Sequence, residues 1–366
     1  MNKDTQNQYQ PDYVSPPGET LQETIDTIGM SQAELAERTG RPKKTINEII
    51  KGKGPITPET ALQFERVLGT PARFWNSRER NYREDLAGKK ELERLQEDIN
   101  WLAKFPIKEM AGVGWISLQD DPVEQVRELL NYLGVASRQQ WKSIWLSPSA
   151  APNYRKSPAF KSTPEAVSAW LRQGELVARD IQCSPYNPRA FKTVLSEIRN
   201  LTITPPENSQ LKMVRLCAGA GVAVAFVPEI PKIHLSGATR WLSPLKALIQ
   251  LSLRHKSDDH LWFSFFHEAA HILLHGKRAA FIEDDTQSND MEAEANRFAS
   301  IILIPQKRYR QFVAEQVFSK KAILEFASDL GISPGIVVGR LQHDELIKFN
   351  HCNDLKKRFT FSKKET

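Results

Sequence analysis

Residues Asp259 to Gly276 read DHLWFSFFHEAAHILLHG, and no other stretch limits the fold as narrowly. Leu261 through Leu274 is mostly apolar, Asp258 and Asp259 are suitable N-caps, and Gly276 is a suitable residue just past the end. Together they predict a buried helix. Within it lies His267-Glu268-Ala269-Ala270-His271. Residues four apart on a helix sit about 40° apart around the axis and about 6 Å along it, so His267 and His271 can present two imidazoles to one metal ion. Glu268 reaches the edge of the same face, where it can take a proton from a water activated there. A histidine pair on an apolar helix also suits an ordinary core, so the reading depends on what lies downstream.

After an acidic loop, Glu283 to Asp290, the segment Met291 to Ala299 is strongly helical, with Ala295, Phe298, Ala299 and Ile302 on an apolar stripe. Glu292 and Asn296 are four apart and share a face. Glu292 is then the candidate third ligand of a two-His, one-Glu zinc site. Asn296 is the candidate outer partner that accepts a hydrogen bond from a ligand imidazole and fixes its tautomer. Glu294 points roughly 160° away from Glu292 and is the alternative ligand. His275, about 12 Å along the axis from His267, is read as structural. His255 and His260 precede the helix, and either is a candidate transition-state donor. Upstream, the sequence from Leu211 reads as a helix running into the strand VAVAFV, and Ala238–Leu242 and Ala247–His255 read as two more strands. A strand beside the metal helix is what a peptidase needs to hold an extended substrate.

The other informative region is N-terminal. Ser31 with Glu34 forms a capping-box pattern, and Ala36, Gly40, Ile46 and Ile49 have the spacing of a helix-turn-helix. The small residue lets two helices approach, the glycine relaxes the turn, and the isoleucines lock the second helix. Lys43, Lys44, Thr45 and Asn47 lie outward on or beside that second helix, with Gln32 and Lys51 flanking them; these are donors for phosphates and base edges. Two further helices, around 58–68 and 71–86, complete a five-helix bundle.

Two resemblances follow from these residues. Pro17-Gly18-Glu19-Thr20-Leu21, then MSQAELAERTGRPKKTINEIIKGK, then ITPETALQFERVLGTPARFWNSRERNYRE resemble the XRE/HigA-type DNA-binding domains of repressors and antitoxins. That resemblance implies operator DNA as a partner and a homodimer. Phe265 to Gly276, Glu292 to Ala299 and Ile304-Pro305 resemble the ImmA/IrrE family of metallopeptidases. This second resemblance implies an α+β zincin-like domain that uses Zn2+ held by the paired histidines and a downstream glutamate. It also implies a repressor-like protein substrate.

The expected organisation is multidomain. A flexible leader (1–14) precedes an all-α helix-turn-helix domain (15–88) and a helical connector (89–154). A metallopeptidase domain (155–350) and a basic tail (351–366) follow. Arg155 to Phe160 reads as an exposed linker, and the echo of a helix-turn-helix at 322–341 has Arg340 as the lone cation of its second helix, so it reads as a packing module. With 366 residues there is chain enough for several cores. Only 3 cysteines occur, in no CxxC arrangement, which suits a reducing cytoplasm and rules out a cysteine zinc site. No apolar run approaches the roughly 18 residues of a membrane span, and the polar start lacks the apolar core of a signal peptide. The function expected is a DNA-binding regulator fused to a zinc endopeptidase. The alternative is a non-catalytic antitoxin or autorepressor whose zinc domain senses a signal or binds a toxin.

Overall fold

The computed structural model describes residues 14–146, 163–231, 233, 235–252, 256–275 and 285–359. The leader to residue 13, the Arg155–Phe160 linker, His255, the helix stop at Gly276, and Glu283 lie outside these. The chain divides into two compact units that meet between Glu97 and Asp98.

The first unit is all helical: α1 (Pro17–Thr27), α2 (Gln32–Thr39), α3 (Lys43–Ile50), α4 (Pro58–Leu68) and α5 (Ala72–Glu97). Ser31 Oγ accepts the Glu34 N–H at 3.2 Å, but the Glu34 carboxylate turns to Arg38 at 2.7 Å, so only half of the capping box forms. Gly40 stops α2 at φ 68°, a conformation that a side chain resists. Leu21, Ile25, Leu35, Ala36, Ile46 and Ile49 are buried together. Each large side chain among them contributes roughly 1.5–3 kcal/mol. The boundary expected at residue 88 falls inside α5. Gly88 costs that helix only about 1 kcal/mol relative to alanine. Ion pairs Arg83–Glu79, Lys89–Asp85 and Arg94–Glu91 on either side favour its continuation.

The second unit opens with α6 (Ile99–Leu102), α7 (Ile107–Gly112), α8 (Pro122–Leu133) and α9 (Arg138–Trp145). Trp101, Phe105 and Trp141 meet edge to face, with ring centroids 4.9–5.8 Å apart. Tyr132 donates its hydroxyl hydrogen to the Ala169 carbonyl at 2.8 Å, which ties α8 to α10 (Pro164–Asp180). The expected connector therefore packs as part of the second unit from Asp98 onward.

After α11 (Pro188–Asn200) and α12 (Pro206–Gly219) come β1 (Val222–Phe226), β2 (Gly237–Ser243) and β3 (Lys246–Leu251), in the order β1-β3-β2. β1 runs parallel to β3 with Val224 opposite Ile249, and β2 runs antiparallel with Thr239 opposite Ile249. β1 is buried along Val222–Ala225. Its continuous apolar run is the pattern of a strand covered on both faces. β2 is an edge strand.

The expected helix is α13 (Asp258–Ala270), extended by a π turn over His271–His275. It buries Trp262, Phe265, Phe266 and Ala269 in the core shared with β1 and β3. α14 (Asp285–Leu303) starts earlier than expected, since residues 285–290 are helical rather than loop. Arg199 of α11 donates to the carbonyls of Ile302 and Leu303 at 2.7 and 3.1 Å, satisfying the end of α14. α15 (Gln306–Ala314) follows, and then α16 (Lys320–Leu330) and α17 (Pro334–His343), which bend by 116° across Gly331. This pair packs on α13 at close range. A Cβ at Gly335 would lie 2.2 Å from Asp258 Oδ1.

Two expectations at the ends of this unit are corrected. Ser257, not Asp258 or Asp259, occupies the cap position. Both aspartates are buried and bind sideways. Asp258 accepts the Ser333 hydroxyl and the Lys357 N–H, and Asp259 accepts Lys356 Nζ at 2.6 Å. The basic tail (351–366), which reads as mobile from Lys356, is instead seated up to Phe359. Ser257 bridges Arg358, and Phe359 is buried at 1% exposure. No single helix among the described residues is long and apolar enough to cross a membrane.

Candidate metal centre and nucleic-acid interface

α13 and α14 bring His267, His271 and Glu292 together. The two Nε2 atoms are 3.1 Å apart, and Glu292 places Oε2 and Oε1 each 3.3 Å from one of them. Four ligands around zinc at about 2.0–2.1 Å need donor atoms about 3.3 Å apart, so the set matches a tetrahedral corner. Facing imidazole nitrogens at this distance repel unless a proton or a cation lies between them, which is a second reason the donors suit a metal. Burial opposes charge on His267, yet Glu292, Glu268 and Asn296 outweigh it and hold its pKa above the usual histidine value. Burial also works against the Glu292 carboxylate, but hydrogen bonds from both imidazoles draw its pKa down to about 2. Glu292 is therefore anionic at neutral pH, the form in which a carboxylate binds metal.

The outer partners differ between the two histidines. His267 Nδ1–H donates to Asn296 Oδ1 at 2.9 Å, the contact expected from the helical spacing. His271 Nδ1 faces His275 Nδ1 at 3.0 Å, and His275 Nε2 lies 3.1 Å from Glu294 Oε2. Glu294, the alternative ligand, thus sits outside the donor cluster. His260 also stands apart, its Nε2 3.9 Å from Asp259 Oδ2.

Glu268 is 9% exposed and adjoins β2. Thr239 donates its hydroxyl hydrogen to Glu268 Oε2 at 2.7 Å. No sequence signal marks Thr239: it is one polar residue in an edge strand. The strand also comes unusually close, because a Cβ at Gly237 would lie 2.8 Å from Glu268 Cγ.

In the first unit, Lys43, Lys44 and Lys51 are exposed, and Thr45 and Asn47 are half-buried. Lys44 approaches Glu48 at 3.8 Å, whereas Lys43 and Lys51 have no ion partner among the described residues. Asn47 Nδ2 donates to Gln32 Oε1 at 3.4 Å, and Gln32 Nε2 donates to Gln22 at 2.7 Å, so Gln32 and Asn47 form one polar patch. Arg41 is committed internally to Gln63 and Glu59. The outward charge of this region accordingly rests on the lysines.

Residues 232–342 match the family model described as the IrrE N-terminal-like domain, a peptidase-type family, and residues 22–75 match the helix-turn-helix model. The chain is also 30% identical over 59 residues to an uncharacterized HTH-type transcriptional regulator, YddM, of Escherichia coli (strain K12). That match spans 16% of this chain and 63% of the relative. The chain therefore carries a segment similar to helix-turn-helix domains of the XRE type and a segment similar to the IrrE/ImmA-like peptidase family.

Proposed function

We propose that the chain is a transcriptional regulator whose first unit binds operator DNA and whose second unit is a zinc-dependent endopeptidase acting on a repressor-like protein. The observation that carries the peptidase half is the donor triangle of His267, His271 and Glu292 with Glu268 alongside it. His267 and His271 would hold zinc through Nε2, and Glu292 would hold it through its carboxylate. Zinc there supplies Lewis acidity, which lowers the pKa of a coordinated water and polarises a carbonyl.

Glu268 is the candidate general base. Its Oε2 accepts from Thr239, which leaves Oε1 to take the attacking water's proton and pass it to the leaving amine. The open edge of β2 runs beside this carboxylate and would take the substrate main chain as a further strand. Asn296 keeps the His267 proton on Nδ1, away from the metal side.

The test is incubation of the full-length protein with candidate repressors, with and without zinc and with a chelator. Glu268→Gln should keep bound zinc by elemental analysis and lose cleavage. Cleavage by that variant at the wild-type rate would refute the mechanism. His267→Ala should lose the metal, and unchanged zinc content would refute the ligand assignment.

A further inference from the structure

His275 is not needed to complete the donor triangle, yet its side chain is 5% exposed and both of its ring nitrogens are engaged. The π turn over His271–His275 brings the two rings together, tilted by 56°, with centroids 5.0 Å apart. Such turns recur at functional positions in helices.

The pattern of donors and acceptors admits one consistent proton arrangement for a metal-binding His271. To offer Nε2 to a metal, His271 must carry its proton on Nδ1. That N–H then donates to His275 Nδ1 across 3.0 Å, so His275 Nδ1 must be bare. The His275 proton is left on Nε2, where it donates to Glu294 Oε2 at 3.1 Å. The chain ends on a carboxylate, which can only accept. The reverse arrangement, in which His271 Nε2–H donates to Glu292 and no metal can bind there, fails at the far end of the chain. With the His271 proton on Nε2, a neutral His275 would have to donate from Nδ1, and its bare Nε2 would face the Glu294 carboxylate as acceptor against acceptor.

We infer that His275 and Glu294 form a positioning relay that locks His271 in its metal-binding tautomer and fixes the orientation of its ring. The inference rests on the metal-centre reading above. The two ligand histidines are then held by different devices. His267 leans on a neutral amide oxygen, whereas His271 leans on an imidazole backed by an anion.

The experiment measures zinc affinity of the full-length protein by competition with a chromophoric chelator. His275→Leu removes the acceptor and should weaken zinc binding by about 10- to 100-fold. His275→Gln can accept from His271 and donate to Glu294, and should return most of the loss. Glu294→Gln should weaken binding less than His275→Leu, and should add nothing when His275 is already Leu. In metal-free protein, where Glu292 can accept from His271 Nε2, nitrogen NMR should show a larger Nε2–H share of the His271 ring in His275→Leu than in wild type, with an unchanged unfolding midpoint. Wild-type zinc affinity in folded His275→Leu would overturn the relay, as would a Glu294→Gln loss of equal size in both backgrounds. If the wild-type chain binds no zinc, the metal-centre reading falls, and the ring-nitrogen spectra alone decide the relay.

Discussion

Thr239 donates its hydroxyl hydrogen to Glu268 Oε2 at 2.7 Å and so ties an edge strand to the candidate general base. A hydrogen bond to a charged group contributes about 1.5–3 kcal/mol. Thr239→Val should therefore lower kcat/KM roughly ten- to hundred-fold for any peptide substrate the chain cleaves, while zinc content stays at the wild-type level. Full activity in that variant would remove Thr239 from the mechanism.

Asp259 and Lys356 give a pH signature. Burial pushes the Asp259 carboxyl up, but Lys356 Nζ and the Ser257 hydroxyl bring its pKa below the ordinary carboxylate value. A depressed folded pKa stabilises above the unfolded value of about 3.9. That stabilisation is lost as pH falls through the folded value. Asp259→Asn leaves Lys356 buried without its anion and should cost about 3–5 kcal/mol at pH 7. Thermal unfolding should show the gap between variant and wild type closing in acid; a gap independent of pH would contradict this account.

Gly335 sits where α17 crosses the first turn of α13. The Cβ of Gly335→Ala would lie 2.2 Å from Asp258 Oδ1 and 2.7 Å from Oδ2. Forcing atoms into a closed site of this kind costs about 1–3 kcal/mol. The urea midpoint of the second unit should fall accordingly, with the first unit unchanged. An unaltered midpoint would mean that the two helices part easily.

On the DNA side, Lys43 and Asn47 should separate cleanly. Lys43→Ala should weaken binding to all sequences and reduce the slope of log affinity against log salt by about 1. Asn47→Ala should leave that slope alone and relax discrimination at a base position by about 1–3 kcal/mol. Gel shifts at several salt concentrations, on an operator and on mismatched duplexes, decide between these roles. A salt-slope change in the asparagine variant would mean it contacts phosphate.

The pairs His267 with His271 and Glu292 with Asn296 were each legible because helical periodicity brings residues four apart onto one face. The helix-turn-helix was legible for a similar reason, since its small, glycine and isoleucine positions report a single local geometry. The partners of His275 were not legible, because they depend on a π turn and on Glu294 from another helix, and neither follows from an α-helical wheel. A sequence shows local neighbours only, so Asp258 and Asp259 look like helix caps. Their partners, Ser333, Lys356 and Lys357, are distant in the chain. The length of α5 past residue 86 was not legible, because the ion pairs that favour its continuation across Gly88 are side-chain contacts.

The strap formed by Lys356 to Phe359 also sets an order of events. The Asp258 carboxylate that roots α13 waits for the Lys357 amide, 99 residues further along the chain. A ribosome adding about 5–20 residues per second leaves the metal helix without this anchor for roughly 5–20 seconds. The first unit is complete well before then, so a nascent chain would carry a finished helix-turn-helix unit ahead of a second unit whose core is still unanchored.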